Sequence, residues 1–116
     1  MSEKRAFPRR RRRLLVDFVY DGAVRAGFSH DISHTGMFIA TNLAPPAGSK
    51  VEVQLTLPDG KKIAVTGKVV RTRRNTTSLS QTDPSGFSLE LSGYFEPYYL
   101  YILSLEAGAT PSGSWR

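Results

Sequence analysis

Cysteine is absent from the 116 residues. That excludes a disulfide framework and every thiolate metal site, and it fits a reducing compartment. No apolar run approaches the roughly 18–20 residues that a membrane-spanning helix needs. The charged start Met1-Ser2-Glu3-Lys4-Arg5 is not followed by an apolar stretch of signal-peptide length. The expectation is a cytoplasmic protein with no membrane insertion. Histidine occurs only twice. His30 and His34 have a spacing that aligns ligands on a helix but not on a strand-to-turn segment, so they read as surface or half-buried side chains. Asp31, Ser33 and His34 share residue types with a hydrolytic triad, but so close together on one strand and turn they do not converge on a reacting atom. A glycine-rich phosphate loop of Walker or Rossmann type is also missing. The expectation is therefore a protein that is not an enzyme and uses no metal or cofactor.

Acidic charge is scarce in one place only. Residues 1–13 hold Lys4, Arg5 and Arg9 to Arg13, seven basic side chains against the single acid Glu3, a net of +6. Residues 14–116 hold nine basic and nine acidic side chains, a net of zero. All of the excess charge lies in the N-terminal arm while the body is balanced, a distribution that suits a clamp for an anion better than a broad nucleic-acid footprint.

The hydrophobic fraction of 40% is ordinary for one globular domain. Residues 14–20 (LLVDFVY) are β-branched and aromatic and predict a strand; Asp21-Gly22 predicts a turn, and residues 24–33 a second strand. Gly36 opens a third at Met37-Phe38-Ile39-Ala40. Val51, Val53, Leu55 and Leu57 alternate with Glu52, Gln54 and Thr56, which predicts a strand with one buried face. Pro58-Asp59-Gly60 predicts a hairpin turn, and Ile63, Val65, Gly67 and Val69 the return strand. Arg71, Arg73 and Arg74 read as a hydrated strand terminus, and residues 75–85 as a polar loop. Phe87, Leu89 and Leu91 predict a last strand. The period then changes: Tyr98, Tyr101, Ile102 and Leu105 fall at helical spacing behind Pro97, predicting a short helix over one end of the sheet. About six short strands with regular turns suggest a closed barrel. The expected division is a flexible basic arm at 1–13, the barrel with its helix at 14–107, and a flexible tail at 108–116.

Two short constellations carry chemistry. Arg5-Ala6-Phe7-Pro8-Arg9 places two arginines four apart, with Pro8 stiffening the approach. Guanidinium groups bind phosphates bidentately and address the O6/N7 edge of guanine. On charge alone, a solvated tail or a nucleic-acid arm is the leading reading. Asp31-Ile32-Ser33-His34-Thr35-Gly36 places a carboxylate and a hydroxyl on one face of a strand, with Gly36 at a tight exit expected to need positive φ. A carboxylate accepts from the N1–H and amino group of guanine. Alone, a polar turn that satisfies its own backbone is the leading reading.

Together, an arm with RxxxR, a strand, and DxSxxG leading into a third strand resemble the PilZ domain family, receptors for the bacterial second messenger cyclic di-GMP. The resemblance spans roughly residues 4–106 and includes the alternating central hairpin, the Gly86-Phe87 opening of the last strand and the closing helix. It implies a six-stranded antiparallel β-barrel with a C-terminal helix. It also implies that Arg5 and Arg9 hold phosphates and guanine bases, that Asp31 and Ser33 face a guanine, and that Gly36 shapes the turn. Arg9 and Arg13 share the RxxxR spacing, but Pro8 before Arg9 favours the Arg5/Arg9 register and leaves Arg13 at the barrel mouth. Lys4, just before the motif, implies capture of a stacked ligand dimer; the charge of Arg10 to Arg12 suits either extra phosphate contacts or a faster association. The expected function is a cyclic di-GMP receptor and adaptor, possible as a homodimer, that changes arm conformation on binding and signals to a separate effector protein. A ligand-independent interaction module is the alternative, and a nucleic-acid-binding arm the weaker one.

Overall fold

In the computed structural model, residues 10–74 and 85–106 are described. The loop expected at 75–85 (except Ser85), the tail at 108–116, and Lys4, Arg5 and Arg9 lie outside them. The elements are β1 (Arg10–Arg11), β2 (Leu15–Tyr20), β3 (Ala23–Ile32), β4 (Gly36–Ala40), β5 (Lys50–Thr56), β6 (Lys62–Arg73), β7 (Gly86–Leu91) and α1 (Glu96–Glu106). Strands β3-β2-β5-β6-β7-β4 pair in that order, and β4 pairs back onto β3. Every pairing is antiparallel, so the chain closes a six-stranded β-barrel, to which β1 adds a two-residue outer strand on β3.

Alternation sets which side chains fill the barrel. Val16 and Phe18 of β2, Val51, Val53 and Leu55 of β5, Ile63, Val65 and Val69 of β6, and Phe87 and Leu89 of β7 are all buried. Each such side chain contributes about 1.5–3 kcal/mol relative to exposure. Phe18 and Phe87 meet edge to face across the core, with centroids 5.2 Å apart. The β2–β3 link is the two-residue loop Asp21-Gly22, with φ of 56° and 76°. Two positive φ values in succession make the hairpin turn that matches strand twist. In the β5–β6 turn, Leu57 N–H donates to Lys61 O (2.8 Å) and Lys61 N–H to Asp59 Oδ1 (3.0 Å).

Helix α1 starts with Glu96 in its first turn, where a negative charge suits the helix dipole. Its inward face carries Tyr98 and Ile102, each 1% exposed, with Tyr101 and Leu105 packed beside them. The helix closes one end of the barrel, as its spacing predicts. Two bulges interrupt the ladders, between Ser29 and Asp31 on β3 and between Val69 and Arg71 on β6. Each inserts one residue and flips the in-out alternation beyond it.

Candidate functional site

The bulge on β3 decides how the Asp31 motif is presented. Before it, Ser29 points inward and is 1% exposed; after it, Ile32 points inward and is fully buried. Asp31 is half-buried on the outer surface, directly opposite Phe38 of β4. Strand β3 ends at Ile32, so alternation no longer governs Ser33. Ser33 is 3% exposed, and its hydroxyl donates to Gly36 O at 3.3 Å while its N–H donates to the same oxygen at 2.8 Å. The side chain thus closes its own turn. Tyr98 of α1 holds that turn from below, its hydroxyl donating to Ser33 O at 2.6 Å and reaching Gly36 O at 3.3 Å.

Gly36 does not need positive φ, contrary to the sequence-based expectation. Its reason is proximity: a Cβ there would collide with the Leu89 carbonyl oxygen of β7. The glycine lets the motif turn dock flush on the neighbouring strand, opposite Glu90.

The arm joins this surface through β1. Arg10 pairs with Ile32 and Arg11 with Asp31. Ser29 fixes the chain just beyond: Leu14 N–H donates to Ser29 Oγ (2.9 Å), and Ser29 Oγ donates to Arg12 O (2.5 Å). The arginines then diverge. Arg10 is half-buried, and its Nε is a buried donor without a hydrogen-bond partner among the described residues. The exposed Arg13 sets its guanidinium 4.0 Å above the Phe28 ring. Arg12 turns to α1. Burial pushes the Tyr101 phenol above its ordinary value of 10.0, and Arg12 opposes the rise through its charge and a side-chain hydrogen bond, while Asp59 adds to it.

Of the expected site residues, the structure therefore brings Arg10, Asp31, Ser33 and Gly36 together at one edge of the barrel, with Arg13 further along β3 at Phe28. Residues outside both motifs also belong to this surface. Arg73 extends over the Phe38 ring at 4.4 Å from its centroid, and His30 meets the same ring edge-on at 6.1 Å. Arg71 and Arg73 fall in the last three residues of β6, at the strand end expected from the sequence. Continuing the alternation of Ile63 to Val69 would have turned them inward; the bulge after Val69 carries them out, and nothing within the strand's own sequence announces it. His34 packs instead against Tyr99, 5.0 Å between centroids.

The sequence pattern of the PilZ domain matches residues 3–93. No curated protein matches in sequence. Among solved structures, the Bacillus subtilis inhibitor of motility MotI/DgrA superposes with a TM-score of 0.72 at 18% identity, over 94% of this chain and 54% of that one. The chain thus spans about half the length of that relative. The PilZ domain of YcgR from Escherichia coli, solved with c-di-GMP, gives 0.69 at 13% identity, over 92% of this chain and 95% of that one. The PilZ domain of CeSA from a cellulose-synthesizing bacterium gives 0.60 at 14% identity, over 87% and 96%. No helix of the described residues is long and apolar enough to cross a membrane. With the family's sequence pattern covering most of its length and a closed six-stranded barrel beneath it, this chain belongs to the PilZ domain family, whose members are generally non-catalytic receptors for cyclic di-GMP.

Proposed function

We propose that this protein is a cyclic di-GMP receptor that acts as an adaptor for a separate effector protein. The observation that carries this reading is the pairing of Arg10–Arg11 with Ile32–Asp31, which ties the base of the arginine arm to the aspartate of the second motif. Asp31 offers a carboxylate to the N1–H and amino group of a guanine. Arg5 and Arg9 supply the phosphate and base contacts, and Arg10, with a buried unpaired donor, gains an acceptor from an anionic ligand. Lys4 and Arg13 border the same ligand, and Lys4 favours a second, stacked copy. The Ser33 hydroxyl is committed to its turn, so its contribution is to set the position of Asp31 and the turn backbone.

On binding, the arm closes over the outer face and changes the surface shown to the effector. Ordering a residue costs about 1–2 kcal/mol. Residues 10–13 are already held by β1 and Ser29, so they add little to that cost. Charge-assisted hydrogen bonds contribute about 1.5–3 kcal/mol each. The balance supports micromolar to sub-micromolar affinity.

Isothermal titration with cyclic di-GMP, beside GTP and a short single-stranded DNA, tests the reading, with Asp31→Ala as control. Binding of the cyclic dinucleotide alone, lost in the variant, is the expected outcome and gives one or two ligands per chain directly. No heat with cyclic di-GMP would leave a ligand-independent interaction module. Equal binding of all three would mean a polyanion clamp.

A further inference from the structure

Cross-strand register gathers residues far apart in sequence into one row on the outside of the barrel. Arg11 stands opposite Asp31, Asp31 opposite Phe38, Phe38 opposite Ser88, and Ser88 opposite Arg71. Directly opposed residues send their side chains to the same face. The Asp31 carboxylate therefore shares a face with the arginines of β6, across two intervening strands. Arg73, two places beyond Arg71, leaves that same face opposite Gly86. A Cβ at Gly86 would come within 2.9 Å of Phe38 Cε1, so the glycine is the floor on which the Phe38 ring lies. The Arg73 guanidinium covers that ring. Phe38 points out of the barrel and is still only 4% exposed, because Arg73 and His30 enclose it.

A guanidinium laid on an aromatic ring has its plane and direction set in advance, which lowers the cost of a bidentate contact. Guanine complements a carboxylate and a guanidinium on one face. Its N1–H and amino group donate to the carboxylate, and its O6 and N7 accept from the guanidinium. Adenine has neither the N1–H nor the 2-amino group for the carboxylate, and with an amino donor in place of O6 it offers the guanidinium only N7.

We propose that Arg73 is a base-specificity residue of the ligand site, reading the O6/N7 edge of the guanine whose other edge Asp31 takes. The assignment rests on the cyclic di-GMP reading above and adds a contact that neither motif contains. Phe38 and Gly86 act as its support, positioning the guanidinium without touching the ligand.

The test is calorimetric titration of wild type, Arg73→Ala, Arg73→Lys, Arg71→Ala and Asp31→Ala with cyclic di-GMP and with cyclic di-AMP. Arg73→Ala should weaken cyclic di-GMP binding about 10-fold to 100-fold and narrow the preference over cyclic di-AMP. Arg73→Lys should not restore either, because lysine lacks the planar fork, while Arg71→Ala should stay within about threefold of wild type. Arg73→Ala within about twofold of wild type, with binding lost in Asp31→Ala, would overturn the assignment and leave the receptor reading intact. Failure of the wild type to bind cyclic di-GMP would overturn both. If Arg73→Ala unfolds, Arg73→Lys decides: full affinity and full base preference in that folded variant would overturn the proposal.

Discussion

Ser29 belongs to neither motif, yet it sets where the arm leaves the barrel. Its hydroxyl accepts from Leu14 N–H and donates to Arg12 O, both beside a buried stretch of β3. Ser29→Ala removes both bonds and leaves the Leu14 N–H buried without its acceptor, a loss of about 1–3 kcal/mol that urea denaturation would register. The same variant should be cut faster by trypsin after Arg12 and Arg13, because the base of the arm keeps only its backbone bonds; unchanged cleavage would show that β1 and the backbone bonds Arg12 N–H to His30 O and Ser29 N–H to Leu14 O suffice to hold it. Gly36→Ala tests proximity in place of φ. The added methyl meets the Leu89 carbonyl and should cost about 1–3 kcal/mol, read as a lower melting temperature. An unaltered melting curve would mean that β4 and β7 separate there without penalty. The importance of Gly36 was legible in the sequence, but its reason was not, since a clash with residue 89 depends on which strand lies alongside.

Among the elements, the β5–β6 hairpin was the most legible, because Val51 to Val69 alternates cleanly around a Pro-Asp-Gly turn. The bulges were not, since an extra residue has meaning only against the partner strand, and each one reversed which side chains faced out. The bulge on β3 turned Asp31 outward and Ile32 into the core, and the one on β6 carried Arg71 and Arg73 onto the outer face. Strand β1 was invisible for another reason: a run of arginines has no alternation, and it became a strand only through backbone pairing with β3. Phe38 belongs to the apolar run Met37-Phe38-Ile39-Ala40, and it is buried, but beneath Arg73 rather than inside the barrel. Helix α1 makes a titration prediction. The folded protein holds the Tyr101 proton more tightly than the unfolded chain, so this residue's contribution is complete below the unfolded value of 10.0 and is lost as pH rises through the higher folded value. Wild-type stability should therefore fall more steeply than that of Tyr101→Phe above about pH 10, measured by urea unfolding at stepped pH. Parallel curves would mean that Arg12 cancels the effect of burial.

At the scale of the whole molecule, the decisive fact is that a neutral body carries a +6 arm. Such an arm attracts any polyanion, so affinity alone does not separate a messenger receptor from a nucleic-acid clamp; the dependence on salt does. A single-stranded nucleic acid gives a slope of log K against log salt of about −0.7 for each phosphate neutralised. An oligonucleotide that engages six arm charges would therefore show a slope of about −4. Cyclic di-GMP has only two phosphates, so its slope should be no steeper than about −1.5 for one bound ligand, the remainder of its affinity coming from salt-insensitive contacts to the bases. Asp31 sharpens the distinction, because a carboxylate repels phosphate and helps only a base. Replacing Asp31 by alanine should reduce cyclic di-GMP binding at every salt concentration without changing its slope, and should leave oligonucleotide binding equal or slightly stronger. Titrations at four salt concentrations supply both slopes. A common steep slope for both ligands, unaffected by Asp31, would assign the arm to general anion capture, and the barrel would then serve only as its mount.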